Sequence, residues 1–141
     1  MGPYPHDAPA AQVTAANPMG TDGFEFVEYA HPEPQALHDL FRAMGFTAVA
    51  RHRTKAITVY RQGDVNYLVN EEPGTHGHRF VAAHGPCAPS MAFRVADAKA
   101  AYERALALGA EPADPAEGGK TLDVPAIKGI GGSLLYFVEA Y

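Results

Sequence analysis

Three of the seven histidines, His76, His78 and His84, lie close together. An imidazole pair at i and i+2 with a third six residues on has the donors to hold zinc or iron if a loop folds around them. No Cys, Asp or further ligand pattern supports that chemistry. Pro73-Gly74, Gly85-Pro86 and Pro89 bracket the segment, so a solvated loop with one or two helical turns, outside any sheet interior, is the simpler reading. His52 sits among Arg51, Arg53 and Lys55 and reads as a surface turn rather than a base; His31 and His38 read as exposed. Glu25 and Glu28 are three apart on a strand, hence on opposite faces, which rules out a paired acid and base. Cys87 has no neighbouring His in the sequence and reads as an inert, half-buried thiol. Arg51, Arg53, Lys55 and Arg61 have the charge to steer an anionic 2-oxo acid, with solvated strand ends the default. Gly129-Ile130-Gly131-Gly132 precedes a strand rather than a helix, so it is read as a strand-to-strand turn and not a phosphate cradle.

A repeated strand-rich unit has to position these residues. Residues 23–30 (GFEFVEYA) read as a strand with Phe24, Phe26 and Glu28 on one face and Glu25, Val27 and Tyr29 on the other. A helix follows, with Pro34 at its start, Leu37, Leu40, Phe41 and Met44 on one stripe, and Gly45 at a left-handed C-terminal cap. Phe46 to His52 is a third, less regular run. Ile57 and Val59, then Val65, Tyr67 and Val69, alternate with polar residues around a Gln62-Gly63-Asp64 turn. In the second unit Met91–Val95 reads as a strand, Asp97 as a helix N-cap, Ala98, Ala101, Tyr102 and Ala105 as the buried stripe, and Gly109 as the helix end. A Pro- and Gly-rich run from Glu111 to Lys120 separates this helix from two further strands, Leu122–Lys128 and Leu134–Glu139.

The chain is therefore expected to be α+β, with two tandem βαβββ modules at about 23–72 and 88–141 inside one domain spanning 21–141, after a flexible amino-terminal arm at 1–20. At 47% hydrophobic residues in 141, halves of this size are too small to be stable alone and should share a core. A net charge of −5 without a basic run argues against nucleic acid, and no apolar run reaches the roughly 18 residues of a membrane span. One cysteine excludes an internal disulfide and fits a reducing, cytoplasmic setting.

Four segments agree in order and spacing with one family: NPMGTDGFEFVEYA (17–30), MGFTAVARHRTKAITVYRQGDVNYLVNEEP (44–73), MAFRVADAKAAYERALALGAE (91–111) and PAIKGIGGSLLYFVE (125–139). Together they resemble the amino-terminal half of bacterial 4-hydroxyphenylpyruvate dioxygenase, in the vicinal oxygen chelate (glyoxalase/bleomycin-resistance) superfamily. The resemblance implies modules paired into an open, curved mixed-sheet barrel with helices outside. It also implies a parent enzyme that converts 4-hydroxyphenylpyruvate and O2 to homogentisate and CO2 in tyrosine catabolism. The Fe(II) of that enzyme, bound by two His and one Glu, belongs to a carboxy-terminal half, which would be this chain's partner. This chain stops where the amino-terminal domain of the family ends.

Superfamily metal ligands come from the first strand of each module and a late strand. By strand pattern the matching positions fall near Glu25, Ser90 and Phe137, which include no imidazole. No catalytic, cofactor or metal residue is expected in this chain. Hydroxymandelate synthase, or a dioxygenase-like domain of another enzyme such as a dehydroshikimate dehydratase, is an alternative parent. A metal-dependent glyoxalase-like enzyme and a metal-free binding protein of the bleomycin-resistance type are stand-alone alternatives. Without the second half, Val59, Tyr67 and Leu135 are candidates for exposure, and a homodimer or higher oligomer is expected.

Overall fold

A computed structural model describes residues 11–117 and 119–139. Its strands are β1 (Thr21–Ala30), β2 (Thr47–Arg51), β3 (Ile57–Gln62), β4 (Val65–Asn70), β5 (Cys87–Val95), β6 (Ala126–Lys128) and β7 (Leu134–Glu139). Its α-helices are α1 (Gln35–Ala43), α2 (His76–His84) and α3 (Ala98–Ala107). The strands form one mixed, open sheet in the order β2-β3-β4-β1-β5-β7-β6. Each unit contains a parallel pair, β1 with β4 and β5 with β7, and the units join through the antiparallel pair β1–β5.

Local signals set most boundaries. Gly45 has φ +89°, and Phe46 N–H reaches Phe41 O at 2.9 Å across the end of α1, a left-handed cap that a Cβ would strain. The Asp97 side chain accepts from Ala100 N at 2.8 Å and caps α3. The second unit is one strand short. Between α3 and β6 the described residues make only isolated bridges, Pro112 to Ile127 and Gly119 to Thr75, and the strand expected over 122–128 shrinks to β6. Pro112, Pro115 and Pro125 supply no ladder donor, which limits pairing there.

Alternation sorts the side chains onto two faces. On one face, Leu37 and Phe41 of α1 pack with Phe46, Tyr60 and Val69, while Ala98, Ala101 and Ala105 of α3 pack with Val95 and Phe137. The opposite, inner face carries Phe26, Ile57, Leu68, Ala92, Leu134, Tyr136 and Val138. Residues 119–126 cross this inner face, with Leu122 and Val124 half-buried against it.

Three expectations change. Of the arm expected at 1–20, residues 1–10 lie outside the described residues. Residues 14–20 form a hydrogen-bonded turn in which Asn17 Oδ1 accepts from Thr21 N at 3.0 Å, and Met19 packs near α3. Val59, Tyr67 and Leu135 are half-buried, because Tyr67 stacks on Phe46 with ring centroids 4.5 Å apart and Val59 joins the inner core. Phe24 and Phe26 lie on opposite faces, because the β1–β5 register shifts between them; Phe24 meets Phe93 at 5.3 Å and is exposed. Among the described residues no helix is long and apolar enough to cross a membrane.

Candidate functional site

The inner face holds a carboxyl group with no exposed surface, that of Glu28. β1 places it there by alternation from Phe26, and β5 sets Ser90 opposite it. Glu28 Oε2 accepts from Asn70 Nδ2 at 2.6 Å and from Thr121 Oγ1 at 2.7 Å, and Oε1 accepts from Ser90 Oγ. Asn70 ends β4, so the parallel β1–β4 pairing delivers its amide to Glu28. Asn70 Nδ2 also lies 3.0 Å from Thr75 Oγ1, the residue whose side chain caps α2 through His78 N. Thr121 N donates to Tyr136 Oη at 2.9 Å. A buried carboxyl is tolerated only when donors meet its lone pairs, and here side chains from β4, β5 and the crossing segment do so. Burial first, and the Glu28 charge next, push the Tyr136 phenol up to about 12 and raise the Cys87 thiol above its ordinary value.

A second polar group lies further along the inner face. Glu25 Oε2 is buried without a hydrogen-bond partner and sits 4.0 Å from Arg94 Nη1. Burial raises the Glu25 carboxyl, opposed by the charges of Arg94 and Arg61. The register shift in β1 turns Glu25 toward Arg94, so Glu25 and Glu28 are on the same side of the sheet, not on opposite faces.

The positions Glu25, Ser90 and Phe137 do not converge. Ser90 meets Glu28, Glu25 faces Arg94, and Phe137 lies on the other face against α3. The residues that do meet from the first strands of the two units and the late strand are Glu28, Ser90 and, through Thr121, Tyr136. The histidine segment is helix α2 rather than a solvated loop. His76 is buried, and its Nε2 lies 2.8 Å from Gly132 O. Gly77 touches the polar cluster so closely that an added Cβ would stand 2.7 Å from Glu28 Oε2. His38 is also not free: its Nδ1 lies 2.8 Å from Tyr60 Oη and its Nε2 3.0 Å from Glu71 Oε2. His52 is the expected surface turn, accepting from Thr54 N and Lys55 N, and the 129–132 glycines join β6 to β7 as expected. Lys55 and Arg61 are not solvated ends. Lys55 Nζ donates to Thr121 O at 2.9 Å and Arg61 Nε to Asn66 Oδ1 at 2.8 Å.

Residues 15–141 match the family described as hydroxyphenylpyruvate dioxygenase, HPPD, N-terminal. The chain belongs to that family. It is 50% identical over 125 residues to a 4-hydroxyphenylpyruvate dioxygenase of Pseudomonas sp. (strain P.J. 874), covering 89% of this chain and 35% of that protein. It is 49% identical over 132 residues to hemolysin VllY of Vibrio vulnificus (strain CMCP6), covering 92% and 37%. A solved xylose isomerase-like TIM barrel/4-hydroxyphenylpyruvate dioxygenase fusion protein superposes with a TM-score of 0.76 at 38% identity, over 93% of this chain and 20% of that one. The chain thus spans little more than a third of each of these two curated relatives.

The iron implied by the dioxygenase family does not fit the donors of this HPPD amino-terminal domain. A facial triad needs two imidazoles and a carboxylate converging with open positions. The inner face offers one central carboxylate whose two oxygens already accept three donors, and no imidazole nitrogen of the described residues bonds to it. Among the described residues no group of three His, Cys, Asp or Glu side chains converges to hold a metal ion.

Proposed function

We propose that this chain is the non-metal-binding amino-terminal domain of a 4-hydroxyphenylpyruvate dioxygenase and acts as structural and assembly support for a carboxy-terminal catalytic domain. In this reading the parent holds Fe(II) in that second domain and converts 4-hydroxyphenylpyruvate and O2 to homogentisate and CO2 in the cytoplasm. The observation that carries the reading is the family match over residues 15–141, joined to an inner face occupied by the Glu28 cluster and the 119–126 segment. Self-association as a homodimer or higher oligomer belongs to the same reading; light scattering that finds only monomer at high concentration counts against it.

The test is to load the purified chain with Fe(II) under argon, desalt it, and measure iron, oxygen uptake and products with 4-hydroxyphenylpyruvate. Expected are substoichiometric iron and no homogentisate. One iron per chain, or product from the chain alone, overturns the proposal. Likeness to the TIM-barrel fusion protein favours one second reading, a dioxygenase-like domain within another enzyme. Joining the chain to the carboxy-terminal region of a dioxygenase separates the two, because restored homogentisate formation requires a compatible domain interface.

A further inference from the structure

The outer face carries a polar cavity that the proposed support role leaves without use. It measures about 590 Å³ and lies between α1 and the β2–β3 hairpin, with Arg42 on one wall and Arg51 on the other. Arg51 reaches this face because of an irregularity in β2. The β2–β3 register shifts between Ala48 and Ala50, so that Ala48 pairs with Tyr60 and Arg51 with Thr58. Strict alternation would put Ala48 and Arg51 on opposite faces, whereas the bulge puts both toward α1. The inner wall is fixed by a chain of hydrogen bonds from Tyr60 Oη to His38 and from His38 Nε2 to Glu71 Oε2.

Charge decides the ligand class. Glu71 is the sole carboxylate lining the cavity among the described residues, and His38 engages it. Neither the Arg42 nor the Arg51 guanidinium forms an ion pair or hydrogen bond with the described residues, and Arg42 lies 5.9 Å over the Tyr60 ring. Two exposed guanidinium forks line this cavity, one from α1 and one from β2, and each is shaped to take the two oxygens of a carboxylate, while Val49, 47% exposed, adds an apolar surface beside them. The volume suits a small organic molecule. We propose that this cavity binds a small organic carboxylate.

The experiment titrates the isotope-labelled chain with phenylacetate and follows backbone amide shifts. Phenylacetamide serves as the uncharged analogue and inorganic phosphate as a compact anion. Saturable millimolar binding is expected, with shifts centred on Arg42 and residues 48–51, and no saturation by phenylacetamide. Arg42→Ala and Arg51→Ala should each weaken binding about tenfold, and Arg51→Lys should recover only part of the loss. Both side chains are exposed and outside the ion pairs of the described residues, so the melting temperature should not move in Arg51→Ala and should fall only slightly in Arg42→Ala, which gives up the contact with the Tyr60 ring; Arg51→Gln is the replacement if Arg51→Ala melts early. Equal binding of phenylacetamide, unchanged affinity in Arg51→Ala, shifts scattered over the surface, or phosphate binding as tightly as phenylacetate would each overturn the assignment.

Discussion

Glu28 and Glu25 are both buried acids on one face, and their partners give them different consequences. Glu28 accepts three side-chain donors, so Glu28→Ala removes the acceptor shared by the buried Asn70, Ser90 and Thr121 side chains and should cost about 3 kcal/mol in urea denaturation. A loss under about 1 kcal/mol would mean that the cluster is not a fastener. Glu25 has a buried oxygen without a hydrogen bond, and its folded pKa lies above the ordinary 4.5. An acid shifted upward contributes stability below its unfolded pKa and loses that contribution as pH rises through the folded value. Relative to the native chain, Glu25→Gln should therefore gain stability on going from below pH 4.5 to neutrality. Urea melts across that range check the sign, and a constant difference refutes it. The sequence displays both glutamates but not this contrast, because the donors to Glu28 lie 42, 62 and 93 positions away.

Helix α2 is held by its first turn, through the Thr75 cap and the contact of Gly77 with Glu28 and Asn70. Gly77→Ala places a methyl 2.7 Å from Glu28 Oε2 and 2.8 Å from Asn70 Nδ2, so either the helix start or the cluster must move. We expect a loss of about 2 kcal/mol, with faster amide exchange in α2 and at Thr121 while α3 stays protected. Unchanged exchange would show that α2 sits more loosely against the sheet than its contacts imply. The start and stop residues of the other helices were readable from sequence, since Pro34, Gly45, Asp97 and Gly109 act within one turn of their own backbone. The role of α2 was not readable. Its polar, histidine-rich sequence resembles a solvated segment, and only the approach of β1 and β4 shows why its second residue is glycine. The bulges in β1 and β2 were hidden for the same reason: alternation predicts faces only while the register is unbroken, and the partner strand sets where it breaks.

At the scale of the whole sheet, the repeat is a duplication of topology with a single interior. The inner core takes Phe26, Ile57 and Leu68 from the first unit and Ala92, Leu134, Tyr136 and Val138 from the second, and β1 pairs with β5 along the junction. Glu28 binds the units together again by accepting from Asn70 on one side and from Ser90 and Thr121 on the other. Separating the units would expose the inner side of both and leave this carboxyl without two of its donors, a penalty that units of this size cannot offset from their outer clusters alone. The chain should thus unfold in one cooperative transition, with tyrosine fluorescence and far-UV circular dichroism giving the same urea midpoint. Residues 11–84 expressed alone should lack dispersed amide resonances. Two resolved transitions, or a folded spectrum from the first unit by itself, would show that each module closes its own core and that the shared interior is not what makes the pair one domain.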